Sequence, residues 1–171
     1  MINKINKLSK REFIKVFGNI FENTSWIAQK LYNKKPFKDF QDLSSKMMDI
    51  FENTSKKNQI EILCAHSDLA NKTKIGFLTQ ESKKEQNSAG LDQCTEEEFE
   101  KFKNLNDKYK KKFGFPFIIA VKGTNKLEIL NNFKKRITYG INIEFTESKK
   151  QVKKIANLRL NEINKNEKNF F

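Results

Sequence analysis

Cysteine is scarce: two in 171 residues, Cys64 and Cys94, with no C-x-x-C pair. A disulfide framework and a cysteine-built metal site are thereby not implied, and reduced thiols in a cytoplasmic protein are expected. Histidine is scarcer still. His66 is the only one, too few imidazoles for a dedicated zinc site, so no metal is expected. Cys64 and His66 stand two apart, a spacing that sends them to different faces of a helix and argues against a Cys–His dyad. Two Pro and six Gly leave few chain breakers, which favours helices joined by short loops. No apolar run approaches the ~20 residues of a membrane span. The polar start, Met1–Lys10, lacks the apolar centre of a signal peptide, and Asn169–Phe170–Phe171 at the end is not a peroxisomal address. No membrane association is expected.

Against these absences stand sixteen Phe within a 37% apolar share. They are large burial units, enough for a globular core at this length. One domain spanning 1–171 is expected, with its core over about 9–163 and a polar tail at 164–171. The charge is 34 − 21 = +13, a field able to attract nucleic acid, anionic membrane or small anionic substrates. The excess is nearly all lysine, dispersed end to end among many Asn and Ile, a pattern that genomic base composition also produces. No nucleic-acid recognition motif interrupts it. A basic helical nucleic-acid binder is therefore the weaker alternative.

In chain order, Ser9-x-x-Glu12 reads as a capping box opening a helix with the stripe Phe13, Val16, Phe17, Ile20 and Phe21. Asn23–Thr24–Ser25 breaks it, and Trp26, Ile27 and Leu31 start a short second helix. Pro36 marks a loop, and Phe40, Leu43, Met47, Ile50 and Phe51 form a clean amphipathic third. A helix over Gln59–Ala65 leads to His66. Thr95-x-x-Glu98 opens a long helix with Phe99, Phe102, Leu105, Tyr109 and Phe113 on one side and a solvated lysine run elsewhere, ending at Gly114. Asn125-x-x-Glu128 begins another, with Leu127, Leu130, Phe133 and Ile137 as its expected stripe. The last runs from about Phe145 to Ile163. All-α, with about eight helices in one bundle, is the expectation.

Four features point to chemistry. His66 sits at the end of an apolar helical run, and histidine is the side chain that changes charge near neutral pH; it is equally suited to being a packed, hydrogen-bonded core residue. In the stretch from Leu78 to Gly90, the line Leu78, Ser82, Glu85, Ala89 has the spacing of an inward face, with Gln86 beside it. Buried polar groups there need partners in the protein or in a ligand; a fully exposed helix is the other possibility. Phe117–Ile118–Ile119–Ala120–Val121 belongs to a wholly apolar run with no strand to pair with, so its backbone groups must find side chains, water or a ligand. Arg159 falls on the apolar line Val152, Ile155, Ala156, Ile163. A buried guanidinium either pairs with an acid or forks around a planar anion.

Taken in order, these pieces resemble the family of OHCU decarboxylases, which act on 2-oxo-4-hydroxy-4-carboxy-5-ureidoimidazoline. Phe17–Gly18–Asn19–Ile20–Phe21–Glu22 and Ser25–Trp26–Ile27–Ala28 match its N-terminal signature. Ala65–His66–Ser67–Asp68–Leu69–Ala70 is similar to its A-H-P-D-L-A, with Ser67 where the family has proline. Leu78–Thr79, Ser82-x-x-Glu85–Gln86 and Ala89–Gly90–Leu91 match the next block. Leu105–Asn106-x-x-Tyr109-x-x-Lys112–Phe113–Gly114–Phe115–Pro116–Phe117 and Ile155–Ala156-x-Leu158–Arg159–Leu160 match the last two.

The resemblance implies decarboxylation of a small anionic substrate to (S)-allantoin, by an all-α and often homodimeric protein. It implies no cofactor, because the substrate's own C=N can accept the electrons that CO₂ leaves behind. It also implies His66 as general acid/base, with Glu85 orienting it or the substrate. By the same resemblance Ser82 and Gln86 would bond substrate polar groups, the backbone of Phe117–Val121 would supply amide contacts, and Arg159 would clamp an anionic or carbonyl end. Ser67, where the family has proline, brings a hydroxyl expected to bond the substrate as well. The ligand is then expected between His66, Glu85 and Arg159. A catalytically inactive relative serving as an interaction module is the remaining alternative.

Overall fold

In a computed structural model, residues 1–71 and 78–166 are described. The tail residues Phe170 and Phe171 lie outside them. The described residues form nine α-helices and one short 3-10 turn. Eight of the nine have eight or more residues, in line with the expected all-α class. The chain divides into two compact units, residues 1–65 with 153 onward, and 66–152.

The first unit holds α1 (Ile2–Lys7), α2 (Lys10–Phe17), α3 (Ser25–Tyr32), α4 (Phe40–Glu52), α5 (Lys56–Cys64) and the C-terminal part of α9 (Ile141–Lys165). Ser9 caps α2 in a complete capping box with Glu12, as the spacing requires. Phe13, Phe17, Phe21, Leu43 and Phe51 are buried. Phe13 lies against Phe17 at 4.6 Å between ring centroids and Phe21 against Phe51 at 5.0 Å. The first helix, α1, arises from a stretch whose polarity hides it. Its single buried residue is Ile5. Asn6 completes its anchorage by donating to the Phe37 carbonyl and accepting from the Phe37 amide, at 2.8 and 2.9 Å.

The second unit holds the loop that carries His66, α6 (Gln80–Ser88), the 3-10 turn Leu91–Gln93, α7 (Glu96–Phe113), an extended segment over 115–121, α8 (Lys126–Arg136) and the start of α9. Thr95 and Asn125 each close capping boxes with Glu98 and Glu128. Gly114 terminates α7 with φ +79°, a conformation that a side chain disfavours. Phe102, Tyr109, Phe117 and Phe133 fill the core, Phe117 and Phe133 stacking at 3.9 Å.

One expected stripe is corrected. On α8 the buried face is Ile129, Phe133 and Arg136, whereas Leu127 is 67% exposed. Both lines have helical spacing and share Phe133, and the charge of Arg136 disguises the one that is buried. The last helix also begins earlier than hydropathy indicates, at Ile141, so that Glu144 and Ser148 extend its inward line and are fully buried.

Candidate active site

Helix α5 stops at Cys64, with Ala65 as its C-cap. His66 therefore begins an irregular loop instead of ending a helix. It is buried, as is Asp68, while Ser67 is partly exposed. Cys64 is exposed, and partial burial together with the Glu61 charge pushes its thiol above the usual range. The loop is held by side chains from α6 and α7. Gln86 accepts from the Ala70 amide at 3.1 Å and donates to the Asp68 carbonyl at 3.5 Å. Asn106 Nδ2 donates to the Leu69 carbonyl at 3.0 Å. Lys110 pairs with the Asp68 carboxylate at 2.8 Å, and Asn71 donates to the same oxygen at 3.2 Å. Ala70 sits at φ +49°, a left-handed backbone that a non-glycine residue adopts only where its surroundings impose it.

On α6 the helical line behaves largely as its spacing predicts. Ser82, Gln86 and Ala89 are buried, Glu85 is half-buried, and Lys83, Lys84 and Asn87 are exposed. Thr79 caps the helix by accepting from the Ser82 amide. Both ends of the Gln86 amide are engaged with the loop backbone. Expected as a substrate contact, Gln86 is thus first a support for the loop after His66.

The segment Phe117–Val121 is buried except at Ile119. Three of its backbone groups are met by protein side chains, the Val121 carbonyl by the Thr124 hydroxyl at 2.7 Å. Arg136 Nη1 donates to the Ile118 carbonyl at 2.7 Å, and Gln151 Oε1 accepts from the Ala120 amide at 3.0 Å. The Arg136 guanidinium also covers the Phe117 ring at 4.5 Å. Arg136 is in turn paired with Glu144, donating through Nε at 3.0 and 3.2 Å and through Nη2. Glu144 accepts from the Tyr109 hydroxyl, and Ser148 joins the group. Burial, then the Glu144 carboxylate, raises the Tyr109 phenol well above its ordinary range.

This four-residue network escapes hydropathy because Arg136, Glu144 and Ser148 are polar. Their spacing was the available signal: Arg136 lies three residues past Phe133, and Glu144 and Ser148 lead by fours into Val152.

Arg159 belongs to the first unit and is 6% exposed. It donates through Nη1 to the Asn19 carbonyl at 3.0 Å and through Nη2 to Glu22 at 3.4 Å. Pairing with an acid, one of the two possibilities for a buried guanidinium, is thus realised. Among the described residues no group of three or more His, Cys, Asp or Glu could hold a metal ion. No described helix is long and apolar enough to cross a membrane. In the second unit a cleft of about 420 Å³ runs along α7, walled by Asp68, Ala70, Phe99, Asn106 and Lys110 among others; His66 does not line it.

Solved structures with this helical arrangement define the class. A crystal structure of (S)-allantoin synthase superposes with a TM-score of 0.73 at 27% identity, over 94% of this chain and 52% of that one. One of OHCU decarboxylase in the presence of (S)-allantoin shares the fold with a TM-score of 0.69, over 85% and 94%. In sequence, the chain is 36% identical to the 2-oxo-4-hydroxy-4-carboxy-5-ureidoimidazoline decarboxylase of Halalkalicoccus jeotgali, over 95% of this chain and 90% of that protein. It is 40% identical to the uric acid degradation bifunctional protein of Bacillus sp. (strain TB-90), over 95% of this chain but only 32% of that longer protein. The family model for OHCU decarboxylase matches residues 6–161. The chain belongs to the OHCU decarboxylase family, the carboxy-lyases of urate catabolism.

Proposed function

We propose that this chain decarboxylates OHCU to (S)-allantoin with His66 as the general acid/base. The supporting observation is the buried imidazole, the only one in the sequence, on a loop held by Gln86 of the same helix that bears Ser82 and Glu85. The substrate's name fixes the chemistry. Carbon 4 carries hydroxyl and carboxylate and is saturated, so the ring C=N lies at carbon 5. As CO₂ leaves carbon 4, its bonding electrons form a C4=C5 bond and the former imine nitrogen takes up a proton. The 4-hydroxyl then gives up its proton as carbon 4 becomes a carbonyl, and carbon 5 is protonated on one face. One imidazole can accept the hydroxyl proton and return a proton to carbon 5, which accounts for a single histidine sufficing.

Glu85 orients His66 or the substrate, while Ser67 and Ser82 bond the ureido and ring polar groups. Backbone groups of Phe117–Val121 not engaged by Arg136, Gln151 and Thr124 supply amide contacts. The role of Arg159 as a clamp for an anionic or carbonyl group rests on the family resemblance, and Arg159→Lys should raise KM because lysine cannot replace a planar fork. A homodimer follows from the same resemblance, and sedimentation velocity across a dilution series measures it.

The deciding assay follows circular dichroism of freshly generated substrate. The chain should accelerate appearance of the (S)-allantoin signal, and His66→Ala should lose about 10²–10⁴-fold with its helical spectrum intact. A wild-type chain that leaves the signal at its spontaneous rate would refute the activity. An unimpaired His66→Ala would refute the assignment of the histidine.

A further inference from the structure

We propose that Asn106 and Lys110, neighbours on one face of α7, are positioning residues for His66, acting through the backbone of Leu69 and the carboxylate of Asp68. The inference rests on the reading of His66 as the acid/base. The loop that follows His66 has no regular secondary structure over 66–71, so nothing in a helix or sheet ladder fixes it. Side chains do this instead. Asn106, 3% exposed, reaches Leu69, and Lys110 reaches the buried Asp68, two residues from His66. Four apart on α7, both project toward the same loop.

The surroundings single these two residues out. Lys101, Lys103, Lys108, Lys111 and Lys112 on the same helix are exposed, whereas Lys110 is half-buried and paired with a buried carboxylate. The buried Asp68 carboxylate takes its counter-charge from Lys110 and a further hydrogen bond from Asn71. The left-handed backbone of Ala70 shows a loop forced into one shape by its contacts. Ser67 leaves φ unconstrained at the residue after the histidine, where a proline would have fixed it. Asn106, Lys110 and Gln86 hold the loop that carries the imidazole. Proton transfer is sensitive to displacements of about 1 Å, which can cost about 10²-fold.

Because the chain has one histidine, ¹³C-histidine labelling gives a single Cε1 resonance that reports His66 directly. Asn106→Leu and Lys110→Met should each shift that resonance and its titration midpoint. They should also lower kcat by about tenfold or more with KM changed less than about threefold, the pattern of an interaction needed in the transition state. Lys110→Arg should return kcat to within about threefold, and Lys108→Met should change nothing. Asn106 Oδ1 has no hydrogen-bond partner among the described residues, so the leucine variant deprives only the Leu69 carbonyl.

Both α7 variants keeping wild-type kcat would overturn the proposal, and so would a loss of kcat with the His66 resonance and titration unmoved. If Asn106→Leu does not fold, the Lys110 pair of variants decides alone. If wild type is inactive, the decarboxylase reading fails separately. The resonance still decides whether α7 holds His66: a shift supports it, and no shift rejects it.

Discussion

At the scale of single residues, Gln86 and Ser67 are the two polar side chains whose roles near the histidine can be tested separately. Gln86 uses its carbonyl and its amide nitrogen on two backbone groups of one loop, which only a carboxamide can do. Gln86→Glu keeps the bond to the Ala70 amide but sets an anion against the Asp68 carbonyl. The expected cost is about 1–3 kcal/mol of stability, read as a lower urea midpoint with unchanged m-value. Equal midpoints for both proteins would reduce Gln86 to a substrate contact. Ser67 can be separated into its two possible contributions. Ser67→Ala raises KM if the hydroxyl meets substrate, whereas Ser67→Pro preserves kcat if backbone restraint is what matters. Cys64 lies beside this chemistry without joining it. Its thiol is held above the ordinary range, mainly by partial burial and then by Glu61, so less thiolate is present at any given pH. Alkylation of Cys64 in a Cys94→Ser background should run slower than that of a free thiol at pH 8 and accelerate as pH rises. A rate at pH 8 equal to that of a free thiol would contradict this.

At the scale of elements, the legible parts of the sequence were those with strong punctuation. Three capping boxes, two glycine stops and the Phe stripes of α4 and α7 stand where spacing puts them, because caps and apolar periodicity are local signals. By contrast, α2 ends at Phe17 and leaves Ile20 and Phe21 of its expected stripe, both buried, beyond the helix. The polar line of α6 was legible for the same reason, and with it Ser82 and Gln86. What stayed hidden was polar material put to structural use. Arg136 on α8 and Glu144 with Ser148 on α9 resemble surface residues until their partners across the fold are known, and the partner of Asp68 is 42 residues away on α7. The helix α6 carries the most exposed risk. It has nine residues, none of them strongly apolar, so its Thr79 cap is a large share of what starts it. Thr79→Ala should cost about 0.5–2 kcal/mol and speed amide exchange over Gln80–Lys83. It should also lower kcat/KM by loosening Ser82 and Glu85. Fast exchange with full activity would detach α6 from the site.

At the scale of the whole molecule the open question is what +13 of charge does. Dispersed lysines over an acid-poor surface are either a compositional residue or an electrostatic aid, and the two differ in how rate responds to salt. OHCU carries a carboxylate, so a positive field raises its local concentration and its encounter rate. Screening shortens the reach of that field to about 10 Å at 0.1 M salt and about 3 Å at 1 M. If the charge serves the reaction, kcat/KM falls steadily from 0.02 to about 0.5 M NaCl while kcat holds, since a bound substrate no longer depends on the distant field. A flat kcat/KM would leave the lysines without a catalytic task. The same titration addresses nucleic acid. A protein that uses its lysines on phosphates binds duplex with an affinity falling as a high power of salt. The inward polar residues of α6 and the loop clamp from α7 have no use in that binding. Weak duplex affinity, lost by about 0.2 M salt, beside a salt-sensitive kcat/KM would assign the charge to the small anion. Tight duplex binding that persists there would assign it elsewhere.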